Sequence, residues 1–223
     1  VSTSSGIPDF RSPASGLWES ADPMVVASLP GFQRHPEAFF RWIRPLARLM
    51  VEAQPNAAHL ALADLERRSI LRAVITQNID MLHTRAGAEH VVELHGSFQE
   101  ATCMACYRVY PVGQFIHHFI ETGETPRCEH CGGVLKPNVI LFGEQLPFRA
   151  LQVAQRTVRE CDVMLVAGSS LEVAPASDLP MLASECGAKI IMLNYEATYM
   201  DRHASLVIHD DVAEILPRLA MLV

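Results

Sequence analysis

Lysine is almost missing from this chain. Of its 18 cationic residues only Lys136 and Lys189 are lysines and the rest are arginines, an imbalance that points to genome composition rather than function. Positive charge is also outweighed: 25 acidic residues leave a net charge of −7, so the chain as a whole is not expected to be drawn to nucleic acid or an anionic membrane. No uninterrupted apolar run reaches ~18 residues, which argues against a transmembrane helix. The first residues lack the basic-then-apolar shape of a secretory signal. There is no low-complexity linker and no internal repeat. Charged residues make up only 19% of the chain and hydrophobic ones 49%, which excludes a disordered tail, a collagen-like repeat and a long coiled coil. A cytoplasmic protein with an apolar core is expected.

The 223 residues suggest one to two domains, large enough to bury roughly 70% of the unfolded chain's surface. Short apolar, β-rich runs at 70–76, 162–167, 189–193 and 206–208 alternate with helical periodicity at 35–50, 56–68, 148–161 and 174–186. A further helical stretch covers 211–223. Pro45 is expected to break or kink the first helix, and Pro217 falls inside the last. Short apolar strands separated by helices imply an α/β fold, a parallel sheet covered on both faces. Ligands then bind beyond the carboxyl ends of the strands. Three of those ends carry polar or small residues, Gln77-Asn78-Ile79-Asp80, Gly168-Ser169-Ser170 and Asn194, and nominate one shared cleft.

The segment 99–137 differs in texture and reads as an insertion. It holds Cys103-Met-Ala-Cys106 and Cys128-Glu-His-Cys131, two Cys-x-x-Cys knuckles with 21 residues between them, one beyond the usual zinc-ribbon range. Each knuckle lets two thiolates face one tetrahedral ion. Four cysteines would saturate zinc and leave no position for water or substrate, so the ion would be structural. Two redox dithiols are the alternative. His130 is not needed as a ligand, and Cys161 and Cys186 read as core residues.

Other signals are weaker singly. Gly168-Ser169-Ser170, between a strand and a helix, can present N–H groups and hydroxyls to phosphate or ribose, although such turns are common. Asn194 stands where a dinucleotide fold places its ribose-binding group, with Glu196 as competitor. In the opening segment, Phe10 between Asp9 and Arg11 suits a lid over a ligand better than a plain tail. His95, in Glu93-Leu94-His95-Gly96, is either a satisfied structural residue or, if it shares a cleft with Asn78 and Asp80, a general base.

Together these motifs resemble the sirtuins, the NAD-dependent protein deacylases, in the bacterial and archaeal deacetylase type. The resemblance runs through SxxSGIPDFR from Ser2 to Arg11, TQNID from Thr76 to Asp80, ELHG from Glu93 to Gly96 and the cysteine quartet. It continues through KPNVILFGE from Lys136 to Glu144, GSSLEVAPA from Gly168 to Ala176 and LNYE from Leu193 to Glu196. The family's opening motif begins Gly-Ala-Gly at the end of a first strand, and the present chain starts just after it, so a first strand and phosphate-binding turn are expected ahead of Val1.

The resemblance implies a Rossmann-like NAD-binding domain over 1–30, 70–98 and 138–223, a helical insertion of the small domain over 31–69, and a zinc-ribbon module over 99–137. It implies one structural zinc on Cys103, Cys106, Cys128 and Cys131, and NAD as cofactor. Thr3, Phe10 and Arg11 would belong to a cofactor loop, with Phe10 shielding the reacting ribose from water. Gln77, Asn78, Ile79 and Asp80 would form the ribose and nicotinamide pocket. Gly168, Ser169, Ser170 and Asn194 would bind the phosphate and adenosine half, with Asp211 and Val212 near adenine. Val139, Phe142, Gly143 and Glu144 would pair with an acyl-lysine peptide as a β-strand. His95 and Asn78 would be catalytic, His95 deprotonating a ribose hydroxyl directly or by relay. The implied reaction is deacetylation of protein lysine, giving nicotinamide and O-acetyl-ADP-ribose. A mono-ADP-ribosyltransferase and a non-catalytic zinc-ribbon binding module are the other readings. Sirtuins favouring succinyl or malonyl groups share a Tyr-x-x-Arg pair. The stretch Phe39-Phe40-Arg41-Trp42-Ile43-Arg44 has none, which favours a neutral acyl group, with Arg41 and Arg44 expected on a solvated helix face or in the pocket.

Overall fold

A computed structural model describes residues 1–9 and 21–223; Phe10 and Arg11 lie outside the described residues. Three short helices open the chain after a 3-10 turn at Ser2–Ser5: α1 (Pro23–Val26), α2 (Leu29–Arg34) and the longer α3 (Pro36–Glu52). α3 runs unbroken through Pro45, against the expected break. Pro45 and Arg41 both lie on the exposed face, where water can take the Arg41 carbonyl that the proline cannot bond. α4 (Ala57–Arg67) starts at Asn56, whose side chain accepts from the Ala58 and His59 N–H groups while the His59 ring accepts from the Asn56 N–H.

β1 (Val74–Thr76) is shorter than the run 70–76 suggested. The N–H groups of Ile70 and Leu71 both donate to Leu65 O, so these residues close the end of α4 instead of extending the strand. After α5 (Leu82–Arg85), β2 (Val91–Glu93) pairs parallel with β1, Val74 opposite Val91 and Thr76 opposite Glu93.

β3 (Gly96–Cys103), β4 (Val109–Pro111) and β5 (Leu135–Val139) make an antiparallel sheet in the order β4-β3-β5, with α6 (Ile116–Thr122) in the loop between β4 and β5. α7 (Phe148–Arg159), β6 (Val163–Ala167), α8 (Leu179–Glu185), β7 (Lys189–Leu193), β8 (Leu206–Ile208) and α9 (Val212–Met221) complete the chain. The helix expected over 174–186 is a 3-10 turn at Ala176–Asp178 followed by α8, which starts with a proline in its first turn, where the missing N–H costs nothing.

β6, β7 and β8 are parallel and in order. The Rossmann-like α/β arrangement is as expected, with one difference: its parallel strands are hydrogen-bonded in two parts, β1-β2 and β6-β7-β8. The two parts are joined by packing, since Ile75 and Val92 lie against the cluster that holds Val166, Ile190 and Met192.

Three apolar cores follow from this order. One joins α2, α3 and α6 to β3 and β5 around Phe32, Phe39, Phe40 and Phe119, whose rings meet edge to face at centroid distances of 5.2–5.9 Å. The second covers β6 and β7 with α7 and α8. The third packs Leu62 and Leu65 of α4 with Leu216 of α9, Val74 and Leu193. The expected insertion 31–69 therefore serves two cores, α3 the cysteine-bearing side and α4 the parallel strands.

Candidate active site and metal centre

Four segments carry the polar residues of the cleft, and all four follow the carboxyl ends of parallel strands. Gln77–Asp80 leave β1, His95 lies just beyond β2, and Gly168–Ser170 leave β6, with Asn194 directly after β7. Gln77 Nε2 donates to Ser169 Oγ at 3.3 Å and ties the two parallel ribbons together at this edge.

His95 Nδ1 lies 3.1 Å from Gln77 O. A carbonyl only accepts, so Nδ1 carries the proton and Nε2 is the basic nitrogen of the neutral ring. Gly96 allows the turn that follows. Its φ is +70°, and a Cβ there would come within 2.0 Å of Asn138 O, so no other residue fits after His95. Glu93, on the same strand, has its carboxyl pushed up by burial, although a Ser97 hydrogen bond opposes this.

Asp80 is buried and its Oδ1 accepts from Leu82 N at 2.9 Å, which places a carboxylate at the start of α5. Ile79 packs against the phenylalanine core. An apolar cavity of about 360 Å³ lies beside this pair, lined also by Met50, Arg85, Phe98 and Val112.

Asn78 Nδ2 donates to Ser2 Oγ at 2.9 Å. Ser2 is 5% exposed, whereas Thr3, named from the sequence, faces solvent. The residue of this turn that meets the cleft is therefore Ser2. The first residue of SxxSGIPDFR was its only trace in the sequence, since side chains one position apart on a 3-10 turn point in different directions.

Asn194 is buried with its amide protons on Ser169 O at 3.0 Å and Glu196 O at 3.1 Å. Both of its donors therefore hold the loop, and only Oδ1 can meet a ligand. Gly168 N–H donates to Leu193 O. Ser169 Oγ accepts from Leu171 N as well as Gln77, while Ser170 is exposed. Asp211 caps α9 by accepting from Ala213 N at 2.7 Å, and Val212 is buried in the third core. Their side chains thus serve as a helix cap and a core contact, which leaves the backbone of this helix start to meet a ligand.

Beyond β5, Phe142 forms an isolated parallel bridge with Ser28 before a turn at Gly143. β5 ends at Val139, and Gly143 has φ +87°. Phe142 N–H donates to Ala27 O and Phe142 O accepts from Leu29 N–H, while Glu144 N–H donates to Leu141 O. Neither the N–H nor the C=O of Gly143 is in such a bond among the described residues. The turn is clamped by Lys136, whose Nζ donates to Pro137 O, Val139 O and Glu144 Oε2 at 3.2, 2.9 and 2.9 Å. That arrangement uses all three ammonium protons.

Arg44 neither enters the cleft nor lies on a solvated face. Its Nε and Nη2 donate to Ile120 O and Glu121 O at 3.0 and 2.7 Å, at the carbonyl end of α6. Arg41 is exposed.

The four knuckle cysteines converge. Their sulfurs all lie within 4.8 Å of one another, with Cys103–Cys131 at 3.5 Å and Cys106–Cys128 at 3.6 Å. A tetrahedron with Zn–S of about 2.3 Å has edges of about 3.8 Å, so zinc fits the quartet. Gly133 gives it room, since a Cβ there would stand 2.9 Å from Cys103 Sγ. The Tyr110 hydroxyl, 3.0 Å from Cys128 Sγ, draws that thiol down to about 6. At Cys131 a backbone bond from Gly133 favours the thiolate, but the neighbouring sulfurs outweigh it and push the thiol up to about 12. Four close sulfurs repel as anions until a cation joins them.

The Sir2 family model matches residues 1–175. The chain is 46% identical over 220 residues to an NAD-dependent protein deacylase 2 of Archaeoglobus fulgidus, covering 98% of this chain and 86% of that protein. It is 44% identical over 218 residues to an NAD-dependent protein deacetylase of Sulfolobus acidocaldarius, covering 97% and 84%. Among solved structures, a Sir2 enzyme studied for mechanism and regulation superposes with a TM-score of 0.92 at 45% identity, over 99% of this chain and 88% of the other. A Sir2 complex with a deacetylated p53 peptide and 3′-O-acetyl ADP-ribose does so with 0.93 at 39%, over 100% and 89%. With a family model matching residues 1–175 and relatives above 40% identical over nearly all of its length, this chain belongs to the Sir2 family.

Proposed function

We propose that this chain is an NAD-dependent protein-lysine deacetylase, with acyl-lysine peptide and NAD as substrates and nicotinamide and O-acetyl-ADP-ribose as products. The observation that carries this reading is the His95–Gln77 bond, which presents a basic imidazole nitrogen on the same edge as Asn78 and Asp80. NAD supplies a sugar carbon that becomes electrophilic as nicotinamide leaves, strong enough to be captured by the weakly nucleophilic amide oxygen of acyl-lysine.

The protein's own groups do the rest. Asp80 and Ile79 hold the carboxamide end, Asn78 and Ser2 orient the ribose, and Gln77, Ser169 and the Asn194 Oδ1 take the other half. His95 removes a proton from a ribose hydroxyl, directly or by relay. Phe10 and Arg11 act as the water-excluding part of the opening segment. Zinc on Cys103, Cys106, Cys128 and Cys131 is structural, because four protein ligands leave it no open position. The chain divides into a Rossmann-like unit and a smaller unit holding the zinc, with the peptide entering between them against Gly143.

A neutral acyl group, acetyl first, is favoured because Arg44 is held on α6 and offers no cation to an acyl carboxylate. Among the described residues no helix is long and apolar enough to cross a membrane. None of the six cysteines is in a disulfide, which supports a reducing, cytoplasmic setting. With its net charge of −7, nucleic acid is not expected as a partner.

The test is incubation of the protein with NAD and an acetyl-lysine peptide, followed by mass spectrometry. O-acetyl-ADP-ribose that depends on His95 is the expected product. ADP-ribose mass on protein would instead indicate a mono-ADP-ribosyltransferase, and no NAD consumption a binding module.

A further inference from the structure

Behind the cleft lies a pair of buried imidazoles that the reaction does not use. His59 on α4 is 0% exposed and His83 on α5 is 5% exposed, and their rings meet edge to face with centroids 4.7 Å apart. Burial, then the neighbouring His83, hold His59 well below the ordinary imidazole range, at about 4, so its ring is neutral near pH 7.

The hydrogen bonds settle which nitrogen keeps the proton. His59 Nδ1 receives the Asn56 backbone N–H at 3.3 Å, and a nitrogen that accepts carries no proton. The proton therefore resides on Nε2, which faces Ser2 Oγ at 3.5 Å. Ser2 Oγ also receives Asn78 Nδ2 at 2.9 Å. Two N–H groups thus occupy both lone pairs of one hydroxyl. The hydroxyl's own proton has no acceptor among the described residues, although Ser2 is 95% buried by its 5% exposure. A buried O–H without a protein acceptor is costly, and a ligand oxygen would satisfy it.

We propose that His59 is a positioning residue of the cofactor pocket: its Nε2–H donates to Ser2 Oγ and so turns the Ser2 hydroxyl proton toward an oxygen of the bound dinucleotide, a carboxamide carbonyl or a ribose hydroxyl. With the opposite tautomer, Ser2 would donate backward to the ring and meet the ligand only as an acceptor. This inference rests on the reading of the cleft as an NAD site, but its first part, the ring's proton, is independent of it.

The test has two arms, both on the whole chain. In the first, ¹⁵N shifts of the His59 ring are recorded at pH 7. The neutral Nε2-protonated form is expected, and an Nδ1-protonated or cationic ring overturns the proposal. In the second, the affinity for NAD is measured by calorimetry without peptide. His59→Leu and Ser2→Ala should each weaken it about 3- to 10-fold, the loss of one neutral hydrogen bond, and the double variant should be no worse than either. His59→Gln, which restores an N–H donor, should stay within about twofold of wild type. Affinity for acetyl-lysine peptide should not move. Unchanged NAD affinity in a folded His59→Leu, or losses that add in the double variant, overturns the proposal while leaving the NAD site standing. A wild-type chain that binds no NAD overturns the functional reading and this inference with it.

Discussion

The imidazole of His95 hangs on the Gln77 carbonyl, Nδ1 to O at 3.1 Å. Gln77, the first residue of the cleft's polar run, thus sets the tautomer of the histidine just beyond β2. Both partners leave adjacent parallel strands, so the pairing of β1 with β2 builds the bond.

Replacing His95 by Ala should leave the fold intact, because His95 lies outside the three apolar cores. It should lower formation of O-acetyl-ADP-ribose by about 10²- to 10⁴-fold, the usual contribution of a general base. Single-turnover product analysis beside thermal unfolding checks this. A large fall in melting temperature would make the residue structural instead.

Zinc removal should act on folding. One zinc per chain is expected by native mass spectrometry. Cys103→Ser or Cys128→Ser, both at buried positions in the phenylalanine core, should unfold the 96–139 region at ordinary temperatures, since metal binding is coupled to folding. A metal-free chain with the wild-type melting curve would refute the centre.

Lys136→Met should cost about 3–5 kcal/mol, the usual penalty for stranding one member of a buried ion pair. Glu144→Gln added to it should recover part of the loss. Urea unfolding of the two single variants and the double one checks this. The affinity for acetyl-lysine peptide should also fall, because the clamp holds the turn that carries Gly143.

Acid should destabilise the protein through His59. Its folded-state value of about 4 lies below the usual 6.5, so the unfolded chain takes up a proton that the folded one refuses. The stability this group contributes is complete above pH 6.5 and is lost as pH falls toward 4. The slope is at most about 1.4 kcal/mol per pH unit. Urea unfolding at pH 7, 6 and 5 should show a smaller decline in His59→Gln than in wild type.

Arg44→Ala should lower stability by about 1–2 kcal/mol through loss of its bonds to the α6 carbonyls, with no change in the ratio of acetyl to succinyl peptide turnover. A shift in that ratio would return Arg44 to the acyl pocket.

Much of this was legible in the residues. The cysteine quartet could be read because two knuckles specify their own local geometry, and the sulfurs do meet. The strand ends could be read because buried parallel strands are short apolar runs that stop at polar residues, as at Gln77 and Asn194. Other features had no local signature. Ile70 and Leu71 look like strand and serve as a helix closure, because one accepting carbonyl, Leu65 O, outweighs β propensity. Pro45 looks like a break and is not one, because the Arg41 carbonyl it leaves unpaired faces water. Asp211 reads as a polar strand-end residue, and its carboxylate also caps α9.

Sequence alone determined the family, the alternation of strand and helix, the metal ligands and the histidine at the end of β2, since each depends on residue type at a short, fixed spacing. Only the tertiary structure decided that Ser2 rather than Thr3 meets Asn78, and that Arg44 reaches Glu121 O and not the cleft. These are contacts between residues 76 and 77 positions apart. Their direction is set by how helices and strands pack, and no pattern local to either partner encodes it.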